Sequence, residues 1–234
     1  MQLLIIPDIH TKVDLAQRIV NIHRDKVDHI VMLGDYVDDF DDNAAIMLHT
    51  LECVGKWQQD EKITLLCGNH EAAYMHPRMR CRGWDEAKQW AWDLCIQLKK
   101  FDPKGFATHW YEDDLLLTHA GLAEGRDLIS QTNKLEQFIQ NNIYYEELDY
   151  HKRDGGGNNI GSIITSRPQY NTPSRKYKQI FGHTPTRSKA IEVQTYDKDD
   201  LSFWYANIDT HLNTYVIVDT DSIEEFIIQQ SPIP

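Results

Sequence analysis

The sequence predicts an α/β fold, and three observations lead there. Short apolar runs end abruptly in Gly, Pro or a polar residue. Stretches of helical period separate the first of them, and a series of strand-like runs with short connections fills the C-terminal part. The chain has 234 residues, 41% apolar and 26% charged, enough to bury a large core. With no linker-like stretch in view, a single domain over residues 1–234 is expected, built as a two-layered α/β body.

The elements follow in order. Leu3–Pro7 is an apolar run closed by proline and reads as a buried strand. Val13, Ala16, Ile19, Val20 and His23 then share one helical face. His29–Leu33 is a second strand, stopped by Gly34. Asn43–Gln59 predicts a helix, with Ala45, Leu48, Leu51, Cys53 and Val54 among its apolar positions. Ile63–Cys67 is a third strand, again stopped by glycine. This β-α-β-α-β order predicts parallel strands joined by crossover helices. Trp84–Lys100 predicts a helix whose Trp84, Trp90 and Trp92 are expected in the core. Leu115–Thr118 reads as a strand and Lys134–Ile143 as a helix, while the glycine-rich Tyr150–Gly161 reads as a loop. Gln179–Phe181, Ala190–Gln194, Leu201–Ile208, Thr214–Val218 and Glu224–Ile228 complete the strands. Short connections among the last four predict antiparallel pairing.

Charge and targeting signals narrow the function. Against 24 Lys+Arg stand 36 Asp+Glu, a formal charge of −12, which disfavours a nucleic-acid backbone as partner. The N-terminal apolar run has no basic region before it and stops at Pro7, and no stretch approaches a membrane span. The four cysteines form no CxxC pair, so reduced thiols and a cytoplasmic chain are expected.

The polar residues of interest follow the strands, where α/β sheets bind ligands. They are Asp8-Ile9-His10, Gly34-Asp35-Tyr36-Val37-Asp38, Gly68-Asn69-His70-Glu71, Thr118-His119-Ala120-Gly121 and Gly182-His183-Thr184-Pro185. Each alone reads more simply as a turn, a helix cap or a structural histidine. Five in order, each closing an apolar run, make a joint signal. Carboxylate, imidazole and one amide oxygen suit borderline divalent metals, manganese first, then iron or zinc. Sharing one carboxylate, such clusters can hold two metals about 3.5–4 Å apart, which activate a bridging water and clamp a phosphoester. His70 follows a ligand candidate without needing to bind metal, which makes it a candidate general acid for the leaving oxygen.

These five blocks resemble those of the calcineurin-like metallophosphoesterases, nearest the bacterial and phage-type serine/threonine protein phosphatases and their dinucleotide-polyphosphatase relatives. The resemblance runs from near the N-terminus to residue 185. It implies a four-layer architecture, a central mixed β-sandwich flanked by helices. It further implies Asp8 and His10 on one metal, Asp35 bridging, and Asn69, His119 and His183 on the second, with His70 the acid oriented by Asp38. The implied activity is hydrolysis of phosphomonoesters by a metal-bridging hydroxide, on a phosphorylated protein, small molecule or nucleotide.

One departure bears on the substrate. The protein phosphatases carry GDxVDRG, whereas this chain reads GDYVDDF, with Asp39 where an arginine clamps the phosphate. Asp38, Asp39, Asp41 and Asp42 thus place negative charge beside an anion site. Thr165-Ser166-Arg167-Pro168 resembles the family's WSRP, which makes Arg167 the remaining clamp candidate. Arg78, Arg80 and Arg82 offer further donors, although an exposed basic stretch is their simpler reading. The Trp84–Trp92 region and the loop around Gly155 would shape the pocket if they reach it. Hydrolysis of phosphodiesters or nucleotide polyphosphates, as in diadenosine tetraphosphatases, stands as the alternative, and a non-catalytic binding module on the same fold stands behind both.

Overall fold

The computed structural model describes residues 1–39, 41–149, 161–167, 172–188, 190–195, 204–222 and 226–232. Its elements are β1 (Gln2–Ile6), α1 (Val13–His23), β2 (His29–Met32), α2 (Ala44–Trp57), β3 (Ile63–Leu65), α3 (Asn69–Met75) and α4 (Glu86–Gln97). There follow β4 (Trp110–Glu112), β5 (Leu115–Leu117), α5 (Leu128–Asn141), β6 (Lys178–Phe181), β7 (Glu192–Thr195), β8 (Trp204–Asn207), β9 (Thr214–Asp219) and β10 (Phe226–Gln230). They form two mixed sheets, ordered β10-β9-β1-β2-β3 and β4-β5-β6-β8-β7. Within them β1, β2 and β3 run parallel, as do β5, β6 and β8. The antiparallel strands β4, β7 and β10 close sheet edges.

Side-chain alternation along the strands explains the layering. Leu3, Ile5, Val31 and Leu33 pack with Leu115, Leu117, Ile180 and Ala206 in one apolar cluster, so the two sheets face each other. Leu4, Ile6, Ile30 and Met32 point the other way and pack with Ala16, Ile19, Met47, Leu51 and Val54 of α1 and α2. Asn43 caps α2 by accepting from the amides of Ala45 and Ile46 at 2.9 and 3.2 Å. Among the described residues, no helix is long and apolar enough to cross a membrane.

Three expectations need correction. The last four strands form two antiparallel hairpin pairs, β7 with β8 and β9 with β10, but the pairs lie in different sheets. Strand β9 pairs with β1 instead, and so closes the first sheet with the chain's C-terminal part. Helix α5 begins earlier than apolar periodicity suggests, because Asp127 caps it through the Ser130 amide at 2.8 Å and its first turns are polar. It ends before Ile143, where Asn142 turns left-handed. The tryptophans also divide. Trp92 is buried against Tyr74 and Phe101, whereas Trp90 lies off the inner face of α4 and is 58% exposed. The expected loop at 150–160 and residues 201–203 and 224–225 of two expected strands lie outside the described residues.

Candidate metal centre

Each expected ligand follows a strand end. Asp8 and His10 come after β1, Asp35 after β2, His119 after β5 and His183 after β6, while Asn69 opens α3 just beyond β3. Ligand atoms of Asp8, His10 and Asp35 lie within 4.8 Å of one another, and so do those of Asp35, His119 and His183. The two groups share Asp35. The Asn69 side-chain oxygen joins the second, 3.1 Å from His119 Nε2, which is 3.2 Å from His183 Nδ1 and 3.4 Å from an Asp35 oxygen.

Backbone carbonyls orient two of the rings. His10 Nδ1–H donates to the carbonyl of Asp38 at 2.6 Å, and His119 Nδ1–H to that of Leu33 at 3.0 Å. A carbonyl can only accept, so each ring turns Nε2 inward, as ligating imidazoles do. His119 Nε2 then faces the Asn69 oxygen, an acceptor set against an acceptor unless a cation lies between them. In the bare protein that cation is a proton. Burial opposes it, but the Asp35 carboxylate outweighs burial and pushes His119 up to about 9. Burial likewise opposes ionisation of Asp35, yet His119 and His70 hold its carboxyl well below the usual range. Asp8 goes the other way, driven well above that range by burial and by nearby Asp209. These oxygen and nitrogen donors, without a thiolate among the two groups, fit a pair of borderline divalent cations.

The chain holds these residues under strain. His10, Asp35, Asp38 and His183 have φ of 43°, 49°, 65° and 69°, left-handed values that cost non-glycine residues about 1–3 kcal/mol each. Glu71 offsets part of this. Its carboxylate accepts from the amides of Asp35, Tyr36 and Gly68 at 2.8–3.0 Å and of Val37 at 3.3 Å, clamping the loop after β2 onto α3. Asp8 in turn accepts from the His183 amide at 2.9 and 3.1 Å, which ties the first sheet to the second. A Cβ at Gly182 would stand 2.0 Å from Asp8 Oδ1, so only glycine permits that approach.

Beside the centre, His70 Nδ1 lies 3.0 Å from Asp38 Oδ2 and His70 Nε2 lies 4.0 Å from Asp35 Oδ2. Burial opposes the charge on His70, but Asp35 and Asp38 raise its proton affinity well above the ordinary imidazole range. The Asp38 side chain is buried, and its other oxygen accepts from Tyr74 Oη at 2.5 Å and Lys88 Nζ at 2.9 Å. Lys88 also donates to Asp42 at 2.8 Å. The acidic run from Asp38 to Asp42 is therefore less negative than expected, because a buried lysine from α4 lies between two of its members. Gly83 packs directly on Asp38, where a Cβ would come within 2.9 Å of the Asp38 Cβ.

The arginines are placed apart from one another. Arg78 lies over the Tyr144 ring at 5.1 Å and Arg80 over the Trp84 ring at 3.6 Å, while Arg82 is exposed. Arg167 is half-buried in a segment fastened to the His119 loop by the Ala120 N–H···O=C Ile163 bond of 2.8 Å, and Asp39 is half-buried. Residues that motif reading left without a role complete the site. Glu71 clamps the loop, Tyr74 and Lys88 hold Asp38, and Cys81 Sγ lies 3.6 Å from His70 Nδ1. Asp209 is buried close enough to Asp8 and His10 to act on both electrostatically. Its signal was present, since it follows the apolar strand β8 as Asp8 follows β1.

The fold recurs in known structures. A cold-active protein-tyrosine phosphatase of a psychrophilic Shewanella species superposes with a TM-score of 0.61 at 14% identity, over 98% of this chain and 78% of that one. A protein serine/threonine phosphatase from Saccharomyces cerevisiae gives 0.53 at 13% identity, over 100% and 81%. A putative diadenosine tetraphosphatase gives 0.51 at 12% identity, over 100% and 95%. No curated protein sequence matches the chain. The sequence profile described as calcineurin-like phosphoesterase, however, matches residues 1–212, which take in β1 to β8 and every ligand-bearing strand end described above, but not β9 and β10. With that match, the chain belongs to the calcineurin-like phosphoesterase family, hydrolases that act on phosphate esters.

Proposed function

We propose that the protein hydrolyses phosphomonoesters with two divalent cations, manganese first, held by Asp8, His10 and Asp35 on one side and Asp35, Asn69, His119 and His183 on the other. The carrying observation is the pair of ligand groups that share Asp35, with the His70–Asp38 couple beside them. Bound cations would supply an activated water and positive charge for the phosphoryl oxygens. The side chains supply the rest. Asp38 accepts a hydrogen bond from His70 Nδ1–H, which leaves Nε2, on the Asp35 side of the ring, to give its proton to the departing oxygen. Arg167, carried next to the His119 loop, is the candidate donor for the phosphate oxygens. A cytoplasmic protein meeting phosphorylated proteins or small molecules is the setting this reading assumes.

The alternative is a nucleotide polyphosphate or diester as substrate. Its support is Asp39 at the arginine position and the likeness to the putative diadenosine tetraphosphatase. One experiment separates the readings and tests both. With Mn²⁺, wild-type protein should turn over p-nitrophenyl phosphate and a phosphopeptide faster than bis-p-nitrophenyl phosphate or diadenosine tetraphosphate. His70→Asn should lower turnover of the phosphopeptide by about 10²–10⁴-fold with metal retained. Faster turnover of the tetraphosphate would select the alternative, and no turnover of any of the four would overturn both.

A further inference from the structure

Among the described residues Lys88 is the one lysine or arginine that is buried, with 3% of its side chain exposed, and it lies 50 residues beyond Asp38 in sequence. A lysine in such a place needs partners. Its partners are two carboxylates that are themselves almost sealed, Asp38 at 1% and Asp42 at 2% exposure. Asp85 caps α4 through the Lys88 amide at 2.8 Å, and its carboxylate stands 3.9 Å from Nζ, which fixes the lysine at the start of the helix.

Asp38 divides its two oxygens between different tasks. Oδ2 faces His70 Nδ1, and Oδ1 takes the Tyr74 hydroxyl and the Lys88 ammonium. With Oδ1 held at two points, the carboxylate cannot rotate without breaking both bonds, so the His70 ring keeps its direction. Lys88 also screens Asp38 from Asp42, whose charge would otherwise push the same carboxylate out of place. Its bonds to two carboxylates show that it is committed there and not to a phosphate.

We propose that Lys88, together with Tyr74, is a positioning residue for the general acid: it holds Asp38, and Asp38 holds His70. The inference rests on the phosphoesterase reading above and adds residues from α3 and α4 to its acid. A consequence separates it from a general structural role. Protonation of the leaving oxygen matters for a poor leaving group such as phenolate and little for p-nitrophenolate.

The test compares the Mn²⁺-loaded wild type with Lys88→Met on phenyl phosphate and p-nitrophenyl phosphate, with bound Mn²⁺ measured in each. The kcat for phenyl phosphate should fall by about tenfold or more, and that for p-nitrophenyl phosphate by less than about threefold, with KM and bound Mn²⁺ unchanged. If Lys88→Met does not fold, Tyr74→Phe and Lys88→Gln decide, with the same selective loss expected. Unchanged rates, or equal losses on both esters, would overturn the positioning role while leaving the phosphoesterase reading in place. A wild type inactive on both esters would take down that reading and this inference with it.

Discussion

His119 must lose a proton before it can lend a lone pair to a metal. In the bare protein Asp35 keeps that proton on, and the ring titrates at about 9 against an ordinary value of 6.5. A folded-state value above the unfolded one means stability that is fully present below 6.5 and lost as pH rises through 9. His70, also raised, acts in the same direction. Glu71, pushed up to about 7 by burial and Asp35, has already given up its share by then. Metal-free protein should therefore melt at lower temperature at pH 9.5 than at pH 7, whereas Mn²⁺-loaded protein, whose cation replaces the proton, should change much less. Differential scanning fluorimetry of the two forms checks this. Parallel losses in both would mean that the titrating groups lie elsewhere.

At the scale of elements, the site is made by strand ends that approach more closely than side chains normally allow. Gly68 joins β3 to α3, and a Cβ there would lie 2.2 Å from Asp35 Oδ1 and 2.5 Å from the Asp35 amide. The second neighbour is backbone and cannot swing aside, so Gly68→Ala must push the loop after β2 away from α3. Overpacking of this kind costs about 1–3 kcal/mol. It should also weaken Mn²⁺ binding by at least about tenfold, because the displaced loop carries the shared carboxylate. Isothermal titration with Mn²⁺ reads this directly, and unaltered affinity would show that the contact is not needed. The same elements show what sequence makes legible. Apolar runs closed by Gly, Pro or a polar residue mark β1, β2, β3, β5 and β6, and with them Asp8, Asp35, Asn69, His119 and His183. Lys88 and Tyr74 were not legible. Nothing in a helical pattern says that one lysine turns inward to a carboxylate 50 residues earlier. The sheet change between β8 and β9 was equally hidden, because a short connection does not reveal whether the next strand pairs with its neighbour or with β1.

At the scale of the molecule, two sheets face each other, and loops at the ends of their strands supply one centre. The first sheet brings Asp8, His10, Asp35 and Asn69, and the second brings His119 and His183. Asp8 bonded to the His183 amide and His119 bonded to the Leu33 carbonyl lock the halves in register. Two divalent cations would rest on Asp8 and Asp35, carboxylates that repel each other without them. Anomalous diffraction from crystals grown with Mn²⁺ tests the central claim most directly. Two peaks should flank the Asp35 carboxylate, about 3.5–4 Å apart, one beside Asp8 and His10 and the other beside Asn69, His119 and His183. No peak at Asp35, or a single peak among Asp38, His70 and Cys81 instead, would contradict it.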